Sequence, residues 1–589
     1  MRTQGTINAA PLGGDILDRI WLASYALAPL SVTQKAAYLH DLVAATIGLA
    51  GEDLREALDG LFVHVELMAN ADQKAFGRLY AAACKPMGAT LACALPSAED
   101  KRRLDRRMAE NDPIGAVADQ TNHPRFRAVD GPRTITLVTP DFLSAPSFLQ
   151  PPLESLLAAA RLRGQGYAVE VIDNRVLRLN HDALARRCAD AALIVVVTTP
   201  YDHIQNYFVD YRLRHALSVV SALKRDVPRA VIAVAGAHGS VRPDIVLADS
   251  LADYVLRGEM DVAALALAQT VFDAATPSVE IVGRGDPLPP PNAEGAVTPF
   301  KLVDLGARYR TKAVVDPELR PAYDLIDLSP YFGDRYDGVH YRQGSGWATA
   351  LATRGCAHDC GFCFNFWGRQ VRYRDAEAVV EELAWLDRDH GVRDLFFLDF
   401  NFVQDPKWVS RFCQSLRRKG LGLTWSAQTR CDNIGGAILE EMAAAGCRSL
   451  WLGVESFSAA VGASMAKYAD HDVAVASVEA CRAVGITPQL FVMIGAPGET
   501  RASLNETIGQ MHRLKAAYCG VMPTTPRFGT PLYAKAKQQF PLLGDDFYSL
   551  RGVRGLVDND LTPADLRETL RILNDRDFVN QPQPALLSL

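Results

Sequence analysis

The stretch GWATALATRGCAHDCGFCFNFWGR, residues 346–369, runs from an apolar strand into a loop that carries Cys356, Cys360 and Cys363 within eight residues. Three thiols this close suit a soft metal or an iron–sulfur centre. A structural zinc or a closed cluster takes four protein ligands, and no fourth cysteine is nearby. Three thiolates on a 4Fe–4S cube leave one iron open to an exogenous chelator. The competing readings are a zinc knuckle completed by His358 and chance spacing. His358 stands between two of the cysteines, where bending back to the same metal is awkward.

Downstream the pattern is regular. Strand-like runs at 347–353, 394–400, 422–427, 448–454, 487–494 and 518–523 alternate with helical patterns at 376–390, 406–419, 437–445, 471–484 and 501–515. Asp405-Pro406 reads as an N-cap followed by proline at the first helical position. Gly391, Gly420, Gly446 and Gly485 stand where helices should stop. Six strand–helix units with right-handed crossovers predict a partial or full βα barrel, and the cysteine loop falls at the strand ends where barrels place their active sites.

The three cysteines, with Phe362 before the last, resemble the CxxxCxxC signature of the radical S-adenosylmethionine (SAM) enzymes. The resemblance runs through about 346–535. WLGVES (451–456) resembles the family's fourth-strand motif, which makes Glu455 a SAM contact. FVMIGAPGET (491–500) resembles its fifth-strand Gly-Pro-Gly-Glu element, in which Gly495 would allow the backbone close to the adenine. FFLDFNF (396–402) and TWSAQTR (424–430) put Asp399, Asn401, Gln428 and Arg430 at strand ends facing the same mouth, as SAM contacts or as ordinary polar rim residues. Phe362 joins the expected SAM-binding set.

Upstream, TITLVTP (134–140), AVEVID (168–173), ALIVVVT (192–198) and AVIAVAG (230–236) are short apolar runs without polar alternation, with helices at Leu153–Gly164 and about His203–Lys224 between them. They predict a doubly wound, Rossmann-like parallel sheet covered on both faces, with ligands at the carboxyl ends of its strands. In this position the sheet resembles the cobalamin-binding domain of the cobalamin-dependent radical SAM enzymes. AGAHGSVRP (235–243) is similar to the family's Gly-Gly-Pro-His-like loop, and DYVLRGEMD (253–261) to its Val-x-Gly-Glu-x-Glu segment, with Asp261 in place of the second glutamate. DLIDLSPYF (324–332) resembles the connector that precedes the cluster. The expected cobalamin contacts are Thr198, Thr199, Gly236, His238, Ser240, Gly258 and Glu259. His238 reads equally as a loop histidine bonded to backbone. None of the 12 histidines has aspartate two positions before it, so the Asp-x-His-x-x-Gly cobalt-ligand motif is missing.

The expected organisation is a helical region at 1–130, an α/β cobalamin-binding domain at 131–275, a proline-rich connector at 276–345, a radical SAM (βα)6 barrel at 346–535 and a tail at 536–589. Ser31 with Gln34 forms a capping-box pattern before Leu39, Leu42, Val43 and Ile47, and Ser97 and Asp100 open a charged helix through Lys101–Glu110.

The resemblance implies a 4Fe–4S cluster, SAM and cobalamin as cofactors and a flavodoxin- or ferredoxin-type electron donor. An electron from the cluster would cleave SAM to a 5′-deoxyadenosyl radical that takes hydrogen from an unactivated substrate carbon. In the methylating members a methyl group then passes from cobalt to the substrate radical. A C-methyltransferase is the expected activity, with a cyclase or ring-rearranging enzyme as its nearest rival. A methylthiotransferase would need a second cluster on the α/β domain, which has one cysteine, Cys188. Auxiliary clusters find no support in Cys413, Cys431, Cys447, Cys481 and Cys519, which are isolated and read as core thiols. A cofactor-binding sensor without catalysis fits poorly with three-cysteine ligation beside Glu455.

Composition agrees with this frame. The 589 residues are 49% hydrophobic and carry 62 basic against 68 acidic side chains, a net charge of −6. No basic field marks a nucleic-acid partner, which leaves a small molecule or a peptide as substrate. The longest apolar runs, Ala191–Val197 and Ala230–Ala237, are strand-sized rather than membrane-spanning. MRTQGTINAAPLGGDILDR lacks an apolar signal core. The expected location is the cytoplasm, where sparse thiols stay reduced.

Overall fold

The computed structural model describes residues 15–62, 133–141, 150–199, 212–273, 281–297, 320–332, 346–467 apart from Phe366, 471–515 and most of 517–588, with scattered positions in 64–79. The expected helix at 101–110 and the start of the helix at His203 lie outside these residues.

The first sheet holds β1 (Thr134–Thr139), β2 (Ala168–Asp173), β3 (Leu193–Val197), β4 (Val231–Ala235), β5 (Tyr254–Leu256) and β6 (Ile281–Gly283) in the order β2-β1-β3-β4-β5-β6. The first five are parallel and β6 is antiparallel to β5. The four long strands are those the apolar runs predicted. Three-residue β5 and β6 are too short to leave a pattern. Helices Leu153–Gly164 and Met260–Asp273 pack on one face, and Arg212–Asp226 on the other.

The second sheet begins with β7 (Gly346–Ala350). It is followed by a two-stranded antiparallel clip of β8 (Thr353–Arg354) and β9 (Arg372–Tyr373), which closes the base of the cysteine loop. Then come β10 (Val392–Phe397), β11 (Thr424–Arg430), β12 (Cys447–Glu455), β13 (Thr487–Ile494) and β14 (Ala517–Pro523). All six main strands are parallel in the sequential order β14-β13-β12-β11-β10-β7, a partial barrel with β7 and β14 at its edges. The strand expected at 347–353 breaks after Ala350, because Thr353 and Arg354 leave the sheet to pair with Tyr373 and Arg372.

Helix ends follow the local chemistry. Asp375 accepts from the Ala378 N–H and Asp405 from that of Lys407, capping Ala376–His390 and Pro406–Lys419. Gly391 and Gly420 end these helices in the left-handed region at φ 66° and 68°, where nothing lies close enough to have required glycine except the conformation itself.

One apolar core runs through both sheets, joining Leu137, Leu156 and Leu267 with Phe397, Phe412, Trp425 and Leu490. Residues 320–332 of the connector strap the sheets together. Ala322 N–H donates to Leu156 O (3.0 Å), the Tyr323 hydroxyl to Thr349 O (2.8 Å) and the Tyr331 hydroxyl to Asp173 Oδ2 (2.7 Å).

The N-terminal helices Ile16–Trp21, Ala23–Leu27, Val32–Thr46 and Gly51–Phe62 have their own small core, and the Ser31–Gln34 capping box is formed. Arg567 of helix Pro563–Asn574 reaches Asp15, Asp18 and Glu56, and Arg571 reaches Asp53 and Glu56. Helix Pro531–Gln539 runs across the expected 535/536 boundary. No helix among the described residues is long and apolar enough to cross a membrane.

Candidate functional site at the barrel mouth

Cys356, Cys360 and Cys363 are half-buried, outside any disulfide, in the loop between β8 and β9. Backbone and amide contacts hold that loop. Cys363 N–H donates to Cys360 O (3.0 Å), Cys356 N–H to Gly368 O (3.1 Å) and Gly361 N–H to Met465 O (2.8 Å). The Asn365 amide spans Cys356 O (3.0 Å) and Gly368 O (2.6 Å), while Gln404 bonds Gly355 O and Ala357 N–H (both 3.2 Å). Gly355 has φ +90°, and a Cβ there would meet Gln370 O at 2.4 Å, so only glycine can lead the chain into Cys356. Phe362 packs on Val461, Met465 and Ala496, anchoring the loop to the ends of β12 and β13.

Burial raises the Cys360 thiol against the pull of Lys467 and Arg430. It pushes Cys363 up to about 11, with Cys360 adding to the rise and Arg527 opposing it. Such thiols ionise when a cationic centre replaces the lost water. Among the described residues no three His, Cys, Asp or Glu side chains are drawn together tightly enough for a single metal ion. Three cysteines can each serve a separate iron of one cube. The donor set fits a cluster of this kind.

Arg430, expected at the mouth, points its Nη1 at Cys360 Sγ (3.3 Å). Its other nitrogens form a fork on Asp432 (2.8 and 2.5 Å). Glu455 ends β12 with φ 67°, a left-handed conformation costly for a residue with a side chain. Its Oε1 takes a 2.6 Å bond from Lys467 Nζ, which also donates to Gly453 O (2.7 Å). Gln428 is half-buried one position from Thr429, and among the described residues its side chain makes no hydrogen bond. Asn401 accepts from the Thr429 hydroxyl (2.7 Å) and the Arg430 N–H (3.3 Å), so it orients the end of β11.

Two residues of the expected SAM set make contacts within the frame. Asp399 is fully buried and accepts from Ala352 N–H (3.1 Å), tying the strand end after β10 to the entry of the cysteine loop. Burial lifts its carboxyl to about 6 despite that bond. Gly495 (φ 71°) lies against the tail, where a Cβ would strike Gly555 O at 2.1 Å. The neighbouring Glu499 folds back to accept from Gly495 N–H (2.5 Å) and Ala496 N–H (3.0 Å), and burial raises it to about 7.

In the first sheet, Thr198, Thr199, Gly236, His238, Ser240 and Gly258 do gather at the ends of β3, β4 and β5. Ala237 N–H donates to Thr199 Oγ1 (2.5 Å), the Ser240 hydroxyl to Gly236 O (2.8 Å) and Gly258 N–H to Ser240 Oγ (2.9 Å). Gly236 (φ 129°) lies so close to Thr199 Oγ1 that a Cβ would approach it to 2.4 Å. His238 is buried, with Nδ1 3.3 Å from Thr198 Oγ1 and its ring edge-on to Phe547 of the tail at 4.8 Å. Glu259 stands apart: its carboxylate is engaged by Arg354 and Arg372 of the clip. Lys467, Arg527, Arg354, Arg372 and Phe547 carry no motif, and their partners are assembled only by the fold.

Residues 351–511 match the family model of the radical SAM superfamily, so the partial barrel with its cysteine loop is a radical SAM domain. An uncharacterised methyltransferase of Pyrococcus horikoshii is 27% identical over 218 residues, 37% of this chain and 46% of the relative. An anaerobic magnesium-protoporphyrin IX monomethyl ester cyclase of Rubrivivax gelatinosus is 24% identical over 306 residues, 50% of this chain and 51% of the relative. The chain thus spans about half the length of these curated relatives. The solved radical SAM methyltransferase TsrM of Kitasatospora setae, with tryptophan and a SAM analogue bound, superposes with a TM-score of 0.54 at 19% identity. The superposition covers 69% of this chain and 76% of that one, a likeness of fold.

Proposed function

We propose that this protein is a cobalamin-dependent radical SAM enzyme that methylates an unactivated carbon of a small molecule, with a peptide as the other substrate class. The observation that carries the reading is the three-cysteine loop facing Glu455 at the mouth of a parallel barrel, with the strand ends of a second α/β sheet held against it. The expected division of labour is retained: cobalamin at 131–275, the connector strap at 276–345, cluster and SAM at 346–535.

Cys356, Cys360 and Cys363 hold the cluster. Glu455, Gln428 and Phe362 contact SAM, Arg430 acts at Cys360, and Asp399 and Gly495 shape the surrounding turns. Thr198, Thr199, Gly236, His238, Ser240 and Gly258 receive cobalamin. When bound, these cofactors supply the electron, the hydrogen-abstracting radical and the methyl group. The chain's own task is to position them and to keep water out. The buried ion pair Glu455–Lys467 holds the carboxylate at the mouth before SAM arrives. A flavodoxin- or ferredoxin-type donor in the cytoplasm completes the proposal.

The resemblance to a cyclase supports a second reading, a non-methylating ring-forming enzyme using the same cofactors. Anaerobic turnover of the reconstituted protein decides between them. Methylated product with S-adenosylhomocysteine beside 5′-deoxyadenosine supports the first, and deoxyadenosine with a cyclised, unmethylated product supports the second. Replacing any one of Cys356, Cys360 or Cys363 with Ala is expected to abolish deoxyadenosine formation; activity retained in all three would refute both.

A further inference from the structure

Arg354 and Arg372 face each other as the cross-strand pair at the base of the cysteine loop, one residue before Gly355 and at the start of β9. Both are buried, Arg354 at 2% exposure. Like charges opposed in a strand pair repel, and burial removes the water that would screen them. Two β-strand residues on each side are marginal on their own, and the Asn365 and Gln404 contacts within the loop do nothing to offset that charge repulsion.

The countercharge comes from the other sheet. Glu259 Oε2 lies 2.5 Å from Arg354 Nη1, and Oε1 of the same carboxylate bonds Arg372 Nη2. Asp261 Oδ1 lies 2.8 Å from Arg354, and its second oxygen is shared with Arg161 at 3.3 Å. Burial pushes the Asp261 carboxyl up, yet the Arg354 and Arg161 guanidiniums outweigh it and leave it below its ordinary value.

The segment that carries these carboxylates also holds the strand-end loop of the first sheet. Arg257 donates to Ser240 O (2.9 Å) and Val297 O (2.6 Å), and Gly258 N–H to Ser240 Oγ (2.9 Å). A continuous set of contacts therefore runs from Gly236 and Ser240 through Gly258 and Glu259 to Gly355 and Cys356.

We propose that Glu259 is a positioning residue that closes the base of the cysteine loop, so that the α/β sheet sets the geometry of the three thiols. The carboxylate neutralises both arginines of the clip at once, which neither barrel strand does for itself. The inference deepens the proposed function but stands on protein contacts alone, so it survives even if no cobalamin binds.

Hydrogen exchange of residues 353–373 in the full chain without added iron or cobalamin tests it. Glu259→Gln is expected to exchange at least about tenfold faster in this segment, with β1–β4 unchanged, because Arg372 is left buried without a countercharge. Glu259→Gln/Arg372→Gln is expected to recover most of the protection, since Arg354 keeps Asp261. After anaerobic reconstitution, the single variant should lose iron to a chelator at least about tenfold faster than wild type and the double variant should not. Unchanged exchange in 353–373, or loss of protection spread through the first sheet without recovery in the double variant, overturns the proposal. Should the single variant not fold, the double variant decides: near-normal protection supports the clamp and an unfolded chain refutes it.

Discussion

Glu455 combines a left-handed backbone with a buried ion pair to Lys467. The carboxylate sits on a backbone in the left-handed region, a conformation that costs about 1–3 kcal/mol and is kept only where the surroundings demand it. The demand comes from Lys467, whose ammonium is almost wholly buried and has Glu455 as its charge partner in a 2.6 Å pair. Glu455→Gln should therefore destabilise the protein by about 3–5 kcal/mol, the cost of leaving a buried charge unpaired. Glu455→Gln/Lys467→Met should restore most of that stability while SAM affinity remains at least about tenfold weakened. Thermal melts with parallel SAM titrations separate the two effects. Recovery of both by the double variant would remove Glu455 from the SAM site. At this scale the three cysteines, Phe362 and Glu455 could be proposed from the sequence because each stands in a spaced motif. Lys467 and Arg527 could not, since their meaning comes from a buried position that only the folded barrel creates.

The turns after the barrel strands carry their own pH dependence. Glu499 accepts two backbone N–H groups with one oxygen, and its other oxygen is buried without a partner among the described residues. Burial holds its pKa at about 7 against 4.5 for an ordinary glutamate. Protonated Glu499 is thus favoured by folding. Its contribution, of order 3 kcal/mol, is complete below about pH 4.5 and is lost as pH rises through about 7. Glu499→Gln, which keeps an oxygen for the two N–H groups, should flatten the stability profile between pH 4.5 and 7 and be the more stable chain at pH 8. Unfolding by denaturant at both pH values measures it, and parallel profiles would contradict the assignment. Two glycines make a matched test of geometry. Gly391→Ala places its methyl in open space and should cost only about 1 kcal/mol for the left-handed cap. Gly495→Ala drives a methyl into Gly555 and should cost several times more. Helices at 376–390 and 406–419 were legible to the residue because aspartate caps open them and glycines close them. The β8–β9 clip was illegible: two-residue strands have no periodicity, and their pairing depends on a loop closure supplied from another sheet.

Across the whole molecule, the parts communicate through arginines. Arg567 is buried where the tail meets the N-terminal helices and contacts Asp15, Asp18 and Glu56, while Arg554 stacks 4.3 Å over the Trp21 ring. Arg567→Met should lower stability by about 1–3 kcal/mol and loosen exchange in 15–62, leaving β7–β14 as they are. An unchanged N-terminal region would show the helices to be held by their own core alone. Both sheets were legible in the sequence from apolar runs and helix punctuation. Their mutual arrangement was not, because Arg354, Arg372, Tyr323 and Tyr331 are distant in sequence from the groups they bind. The proposed function requires a cluster with one iron left for SAM, and low-temperature EPR of the reduced, reconstituted protein with and without SAM addresses it directly. A 4Fe–4S signal whose g-values shift on adding SAM, and which disappears in Cys363→Ala, is the predicted result; a cluster signal indifferent to SAM, or one that survives loss of Cys363 unchanged, would contradict it.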